Sequence, residues 1–219
     1  IMKVNDKLKE IIKKKSNTIF SCDVSTMKEL LYFADLCGPY ICVLKVHTDI
    51  IEDFTLNGIM EVKELSIKHN FLIMEDRKFG DIGYTLYKQI GGYFKYNKWC
   101  DLVTAYPYIG ETGLQAFKKY GIGVFLIAEL SINEGKLLPY EELYEKYYPY
   151  PVVGTIGQNN TGTLQATPGI HFENSKDNLN QVYKTPQIAR KKGADLFIIG
   201  RGIYLSNDPV NAIKKYLIY

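Results

Sequence analysis

The sequence predicts an α/β protein with a (β/α)8 barrel, the TIM-barrel fold, in a single domain over residues 1–219. Eight short apolar segments recur at intervals of roughly 20 to 30 residues, and a helical pattern follows most of them, as in βα units of a parallel sheet. Eight such units favour a closed barrel over an open sheet. No linker, low-complexity tract or shift in composition marks a second domain.

The strands are predicted where a run of apolar or β-branched residues is bounded by charged or turn-forming residues. The run at 71–74, for example, is short, unbroken and closed by a burst of charge, which indicates a buried strand. In chain order, the predicted strands are 18–23, 40–46, 71–74, 101–105, 123–128, 151–156, 165–169 and 195–200.

The helices are predicted from apolar residues at helical spacing and from their end signals. Ser25 or Thr26 can cap the helix after the first strand, with Glu29 placed for a capping box, and Gly38-Pro39 ends it. The other predicted helices are 6–15, 57–69, 84–93, 112–120, 140–146, 186–192 and 209–216.

Composition and charge exclude several classes of function. A net charge of +3 arises from 27 basic and 24 acidic residues that are mixed along the chain, which gives no reason to expect a nucleic-acid partner. No apolar run reaches the ~20 residues that a bilayer span needs, and no signal peptide is evident. We therefore expect a soluble, cytoplasmic protein without a membrane partner.

The cysteines and histidines do not indicate a metal site. Four cysteines without CxxC spacing are expected to be free, buried thiols in a reducing compartment. His47, His69 and His171 have no obvious acid partner in the sequence and are interpreted as structural, and of the three His47 is expected to touch the edge of the site.

Polar residues follow the predicted strands at their carboxyl ends, which converge on one mouth of a barrel, where active sites of this fold lie. Lys45 stands inside an otherwise apolar strand, so we expect it to find a carboxylate partner. The residues at these ends are Asp23, Lys45, Asp76, Lys78, Ser131 and Arg201.

The segment 76–81 carries the strongest chemical signal. Side chains alternate in an extended chain, so Asp76 and Lys78 can project to one side, and Asp81 follows a glycine turn. This arrangement can hold an ammonium between two carboxylates. Alternatively, one carboxylate repels a substrate anion while the lysine supplies a proton.

Gly200-Arg201-Gly202 after the eighth strand indicates a phosphate site. Glycines bring backbone N–H groups close to a ligand, arginine offers a bidentate cation, and the loops after strands seven and eight commonly hold phosphate in this fold.

Five blocks in order resemble orotidine 5′-monophosphate decarboxylases of the eukaryotic type, which in animals form half of UMP synthase. They cover nearly the whole chain and read LKVHTDI at 44–50, IMEDRKFGDIG at 73–83, TPGI at 167–170, DNLNQVY at 177–183 and IIGRGI at 198–203. The resemblance implies a homodimeric (β/α)8 barrel that decarboxylates orotidine 5′-monophosphate to UMP without metal or organic cofactor.

The resemblance also implies residue roles. Lys45, Asp76 and Lys78 match the charged catalytic network, and Asp81 matches the acid that the second subunit contributes. The positions that match substrate contacts are Asp23 and Thr85 for the ribose, Ser131 for the pyrimidine, Pro168 for the pocket wall, and Gln181, Tyr183, Gly200 and Arg201 for the phosphate.

Three departures and two rival functions accompany the resemblance. Ile132 replaces a small residue, the segment before Pro151 is shorter than in animal relatives, and no phosphoribosyltransferase half is present. Another domain or protein, such as an orotate phosphoribosyltransferase, is therefore expected to supply the substrate.

One rival is a metal-dependent 3-keto-sugar-phosphate decarboxylase, which carries a magnesium-binding glutamate where this chain has Lys45. The other is an inactive nucleotide-binding barrel.

Overall fold

A computed structural model describes residues 3–131, 137–172 and 183–217. Eight parallel strands close into a barrel in chain order, which confirms the predicted fold class, because the last strand pairs with the first. The strands are β1 (Thr18–Ser21), β2 (Val43–Val46), β3 (Leu72–Phe79), β4 (Leu102–Ala105), β5 (Gly123–Ile127), β6 (Val152–Ile156), β7 (Gln165–Thr167) and β8 (Leu196–Ile199).

The predicted helices are present, with ends that differ from the prediction by a few residues at most. Two four-residue helices, Tyr96–Trp99 and Arg201–Tyr204, were not predicted. In chain order the helices are α1 (Val4–Lys14), α2 (Met27–Cys37), α3 (Leu56–His69), α4 (Gly83–Gly91), α5 (Tyr96–Trp99), α6 (Gly110–Lys119), α7 (Glu141–Tyr147), α8 (Pro186–Lys191), α9 (Arg201–Tyr204) and α10 (Pro209–Lys214).

Local signals position these helices. Thr26 caps α2 through the predicted capping box, since its side chain accepts a hydrogen bond from Glu29 N and the Glu29 carboxylate accepts one from Thr26 N. Asn70 adopts a left-handed conformation that ends α3 before β3 begins. Within the described ranges, no helix combines the length and the apolar character that a membrane crossing requires.

Two apolar clusters lie on either side of the strands, because successive side chains of a strand point to opposite faces. Ile19, Val43 and Leu72 face the barrel interior, whose amino-terminal end α1 closes with Leu8 and Ile11. Phe20, Leu44 and Ile73 face outward and pack beneath the helices. The alternation directs Lys45 inward from β2, toward the carboxyl-terminal mouth.

The third strand is longer than predicted. The prediction ended it at residue 74, whereas β3 continues through the charged residues to Phe79, which is buried and pairs with Ala105 of β4. The ladder is irregular, since Glu75 pairs with Val103 and Phe79 with Ala105. Three residues of β3 therefore lie opposite one residue of β4, as in the larger, less common kinds of β-bulge.

Glu75 is the outward-facing acid of this strand, and it is fully buried. Its carboxylate accepts hydrogen bonds from Thr48 N at 3.2 Å and from Thr48 Oγ1 at 2.8 Å. Burial raises the pKa of Glu75 to about 8, although the hydrogen bonds from Thr48 act in the opposite direction. The folded protein therefore keeps this proton at a pH where the unfolded chain has lost it.

We expect Glu75 to make the protein less stable as pH rises from about 4.5 to about 8. The slope from this one group is at most about 1.4 kcal/mol per pH unit. Urea midpoints measured between pH 5 and pH 8 should fall in the wild type and stay flatter in Glu75→Gln. Glu61→Gln, an exposed change on α3, is the control and should keep the wild-type slope. Equal slopes in the wild type and Glu75→Gln would contradict this assignment.

Candidate active site

A cavity of about 570 Å³ opens at the carboxyl-terminal mouth of the barrel. Its size suits a small organic ligand. Nine of the site residues proposed from the sequence line it, namely Asp23, Lys45, Asp76, Lys78, Ser131, Pro168, Tyr183, Gly200 and Arg201.

Asp76 is the centre of the charged groups in this cavity. Lys45 Nζ lies 2.7 Å from Asp76 Oδ2, and Lys78 Nζ lies 3.0 Å from Asp76 Oδ1. Asp23 extends the network, because its Oδ1 lies 3.8 Å from Lys45 Nζ. The carboxylate partner expected for Lys45 is thus present, and one acid holds two ammonium groups.

Burial and charge set the ionisation of this network. Burial opposes ionisation of Asp76, but Lys45, the hydrogen bond from His47 and Lys78 outweigh it and hold the pKa of Asp76 well below its usual value. Burial also disfavours the charged form of Lys45, yet Asp76 and Asp23 raise its pKa above the usual value. Asp76 is therefore ionised and Lys45 is protonated beside it at neutral pH.

The bulge of β3 gives Lys78 its position. Lys78 has a φ of 52°, in the left-handed region that side chains other than glycine rarely adopt. Its backbone N–H donates to Thr104 Oγ1 at 3.1 Å. The side chain of Lys78 is about one-third exposed, whereas that of Asp76 is 11% exposed. Of these two groups, Lys78 is therefore the more open to the cavity.

Glycines shape the opposite side of the cavity, after β8. A side chain at Gly200 would bring its Cβ within 3.2 Å of Ser21 O, and one at Gly202 would meet His171 Cδ2 at 3.1 Å. Arg201 begins α9, and its guanidinium lies 5.5 Å from the centre of the Tyr183 ring. This side of the cavity therefore offers an exposed cation next to backbone that carries no side chain at the two glycines, as the Gly-Arg-Gly pattern predicted.

Apolar side chains also line the cavity, and we call them its apolar wall. It combines three inward-facing strand residues with residues of the following loops. The residues of this wall are Ile127, Leu130, Ile156, Pro168, Ile170 and Ile198. A flat, partly apolar ring fits such a wall, and Ser131, which also lines the cavity, supplies a hydroxyl.

Among the lining residues that were not assigned a catalytic or binding role, three polar ones contact other polar groups of the site, and strand alternation could have indicated them. His47 lies two positions after Lys45, and its Nε2 is 3.3 Å from both Asp76 Oδ2 and Lys45 Nζ. Glu129 follows β5 and accepts hydrogen bonds from Gln158 N and Asn159 Nδ2. Thr104 donates to Asp76 Oδ1 at 2.7 Å.

His47 lines the cavity, as expected, and both it and His69 have acid partners. His47 pairs with Asp76 inside the cavity, and His69 Nε2 lies 2.7 Å from Asp35 Oδ1 on the surface. Both acids are distant in sequence, which is why spacing alone did not reveal them.

Three predicted site residues are not brought to the cavity by the described part of one chain. Asp81 and Thr85 are absent from the lining, and the carboxylate of Asp81 accepts hydrogen bonds from Ile82 N at 2.8 Å and Gln89 Nε2 at 3.4 Å. Gln181 lies outside the described residues, as does Ile132.

In the described ranges, one group of side chains has metal-ligand spacing. It comprises His47, Asp49 and Glu75, whose ligand atoms lie within 4.8 Å of one another. Each already has a partner, since Asp49 pairs with Arg77 at 2.8 Å and Glu75 accepts two hydrogen bonds from Thr48. These pairings account for the cluster without a cation.

Known proteins resemble this chain over most of its length. The model of the orotidine 5′-phosphate decarboxylase / HUMPS family matches residues 16–216. Orotidine 5′-phosphate decarboxylase of Candida parapsilosis is 40% identical over 226 residues, covering 93% of this chain and 84% of the relative. Uridine 5′-monophosphate synthase of Bos taurus is 40% identical over 220 residues, and the chain spans 45% of its length.

Solved structures share the fold. The crystal structure of orotidine 5′-phosphate decarboxylase from Pyrococcus horikoshii OT3 superposes with a TM-score of 0.70 at 20% identity, covering 91% of this chain and 97% of that one. The orotidine 5′-monophosphate decarboxylase of Methanocaldococcus jannaschii gives a TM-score of 0.67 at 21% identity, covering 92% of this chain and 97% of the other.

Proposed function

This chain belongs to the orotidine 5′-phosphate decarboxylase / HUMPS family, and we propose that it converts orotidine 5′-monophosphate to UMP and CO2, as the last step of pyrimidine nucleotide synthesis. The observation that carries the proposal is the arrangement of Lys45, Asp76 and Lys78 at the mouth of the cavity. An exposed ammonium beside a buried anion suits a reaction in which a carboxylate is lost and a proton replaces it.

The chemical difficulty is the carbanion that CO2 leaves on the pyrimidine ring. Breaking the carbon–carbon bond places its electron pair on the ring carbon, where the π system does not delocalise it well. Lys78 stabilises this charge as it develops and then donates its proton to the carbon. The neutral amine that remains regains a proton from water, so that each turnover consumes one proton and releases one CO2.

Asp76 acts in two ways in this proposal. It holds the ammonium groups of Lys45 and Lys78 in place, and it stands near the substrate carboxylate, where like charge disfavours the bound substrate. The repulsion is relieved as CO2 leaves, so the effect favours the transition state over the ground state. Lys45 also keeps Asp76 ionised.

The remaining lining residues bind the nucleotide. Asp23 lies beside Lys45 and suits the ribose hydroxyls, whereas Ser131 suits the pyrimidine and Pro168 belongs to the apolar wall of the cavity. Gly200, Arg201 and Tyr183 form the phosphate end, to which we add Gln181 from the resemblance alone. Phosphate binding far from the reacting carbon can supply energy that orders the catalytic groups.

A direct assay tests this function against its rivals. The purified chain should convert orotidine 5′-monophosphate to UMP, seen as loss of the substrate's absorbance, at the same rate with and without EDTA. A rate that EDTA abolishes would favour a metal-dependent decarboxylase, and a nucleotide that binds without turnover would favour an inactive barrel.

Arg201→Ala should weaken recognition of the phosphate. We expect kcat/KM for orotidine 5′-monophosphate to fall about 10- to 100-fold, since hydrogen bonds to charged groups contribute ~1.5–3 kcal/mol. Orotidine, which lacks the phosphate, is the matched control substrate, and its kcat/KM should not change. An unchanged KM for the nucleotide would refute the phosphate assignment.

A homodimer with shared sites accounts for the position of Asp81 and Thr85. Both lie on a surface with large exposed apolar side chains, where Ile82 is 69%, Tyr84 73% and Tyr108 68% exposed. Burying such a patch against a second copy is favourable. We propose that Asp81 and Thr85 enter the cavity of the partner subunit and complete its charged network and ribose contacts.

Mixing two inactive variants tests this sharing. Random exchange between Asp76→Ala and Asp81→Ala subunits makes half of the dimers mixed, and each mixed dimer has one intact site. We therefore expect activity to return to about a quarter of the wild-type level. Asp76→Ala mixed with Lys78→Ala is the control and should stay inactive, because both residues belong to the same subunit's site. No recovery in the first mixture would argue against a shared site.

The cellular setting follows from the same proposal. We place the enzyme in the cytoplasm, a reducing compartment, which the four free, buried cysteines support. Its substrate would come from an orotate phosphoribosyltransferase, either fused to it or separate. The bovine relative, which carries the name UMP synthase and is about twice as long as its matched region, supports the fused arrangement.

A further inference from the structure

We propose that Thr104 is a positioning residue, which fixes the orientation of Asp76 and the backbone of Lys78 for the decarboxylation step. This inference rests on the proposed function and deepens it. None of the motifs that indicate the catalytic network includes Thr104, which lies on the neighbouring strand β4.

The register of the sheet brings Thr104 to the charged network. Because Glu75 pairs with Val103 and Phe79 with Ala105, Thr104 is the single residue opposite the bulge at 76–78. It faces the cavity and is only 1% exposed. A buried side chain opposite a bulge is well placed to hold the bulge in one conformation.

The hydroxyl of Thr104 uses both of its hydrogen-bonding roles on the bulge. It accepts from Lys78 N at 3.1 Å and donates to Asp76 Oδ1 at 2.7 Å. One oxygen atom therefore links the backbone of the proton donor to the carboxylate of the central acid. Valine has nearly the same shape but can make neither bond.

The bonds matter because each partner has another conformation available to it. Lys78 is held at a φ of 52°, which is unfavourable without surrounding support. Asp76 Oδ2 is held by Lys45 at 2.7 Å, and the bond from Thr104 to Oδ1 joins the ion pair from Lys78 Nζ at 3.0 Å in restricting rotation of the carboxylate. Losing the hydroxyl would loosen the alignment of Lys78 with the reacting carbon.

The test compares Thr104→Val, which removes the hydroxyl, with Thr104→Ser, which keeps it. We expect kcat to fall about 10- to 100-fold in Thr104→Val, with KM and the Kd of UMP within about threefold of wild type, and substantial recovery of kcat in Thr104→Ser. Thr104→Ala removes the hydroxyl without adding a methyl group and replaces Thr104→Val if that variant does not fold.

Three results would overturn the inference. Unchanged kcat in the folded variants without a hydroxyl would show that the bonds do not position the network. A rise in KM with unchanged kcat would make Thr104 a substrate contact. A Thr104→Ser variant as slow as Thr104→Val would exclude the hydroxyl as the cause. A wild-type chain without decarboxylase activity would instead refute the proposed function.

Discussion

Lys78→Ala is expected to lower kcat for decarboxylation by about 10⁴-fold or more. The substitution removes both the cation that stabilises the developing carbanion and the proton that replaces CO2, and each effect is large in enzymes. Product affinity should change little, since Arg201 and the apolar wall remain. Stopped-flow or discontinuous assays of UMP formation, together with titration of UMP, measure the two quantities.

The control is Lys28→Ala, which removes an exposed lysine of α2 outside the cavity and should leave kcat at the wild-type value. If Lys78→Ala kept more than a small fraction of the rate, the assignment of Lys78 as proton donor would be wrong. A parallel loss of UMP binding would instead mean that the lysine mainly holds the nucleotide.

Asp76→Asn should have the second largest effect, with kcat lower by about 10³-fold or more. Asparagine keeps an oxygen that can accept from Thr104, but it loses the charge that holds Lys45 and Lys78. If like-charge repulsion contributes, the variant should also bind orotidine 5′-monophosphate more tightly relative to UMP. Equilibrium titrations of both nucleotides give this ratio.

Removing the anion also leaves the 5%-exposed Lys45 side chain with only the more distant Asp23 as a counter-ion. We expect a loss of about 3 kcal/mol in unfolding free energy, in the range for breaking a buried ion pair. Asp35→Asn is the matched control, because Asp35 also pairs with a lysine and a histidine but on the surface. It should change neither kcat nor stability by a comparable amount. An unchanged nucleotide ratio in Asp76→Asn would exclude repulsion.

The fold could be predicted because its determinants are local. Apolar strand runs, helical periodicity and capping residues such as Thr26 and Glu29 each lie within a few residues of one another in sequence. The true end of β3 could not be predicted in this way. It depends on the pairing of Phe79 with Ala105, which lets the strand carry a charged bulge, and no short-range pattern encodes that pairing.

The strand-end pattern and the motifs predicted residues that line the cavity, such as Lys45, Asp76 and Arg201. The contacts of His47 and Thr104 with Asp76 could not be predicted, because Asp76 lies on another strand and only the barrel brings these residues together. The position of Asp81 and Thr85 could not be predicted for a different reason. Their proposed role needs a second copy of the chain, so the fold of a single chain does not bring them to a cavity.

We propose that this chain breaks the carbon–carbon bond of orotidine 5′-monophosphate and that Lys78 supplies the proton. Turnover in D2O, followed by NMR of the product and by release of CO2, tests it most directly. The expected result is one CO2 for each UMP, one deuterium at the carbon that carried the carboxylate, and loss of both signals in Lys78→Ala. Unchanged orotidine 5′-monophosphate, or undiminished CO2 release in Lys78→Ala, would contradict the claim.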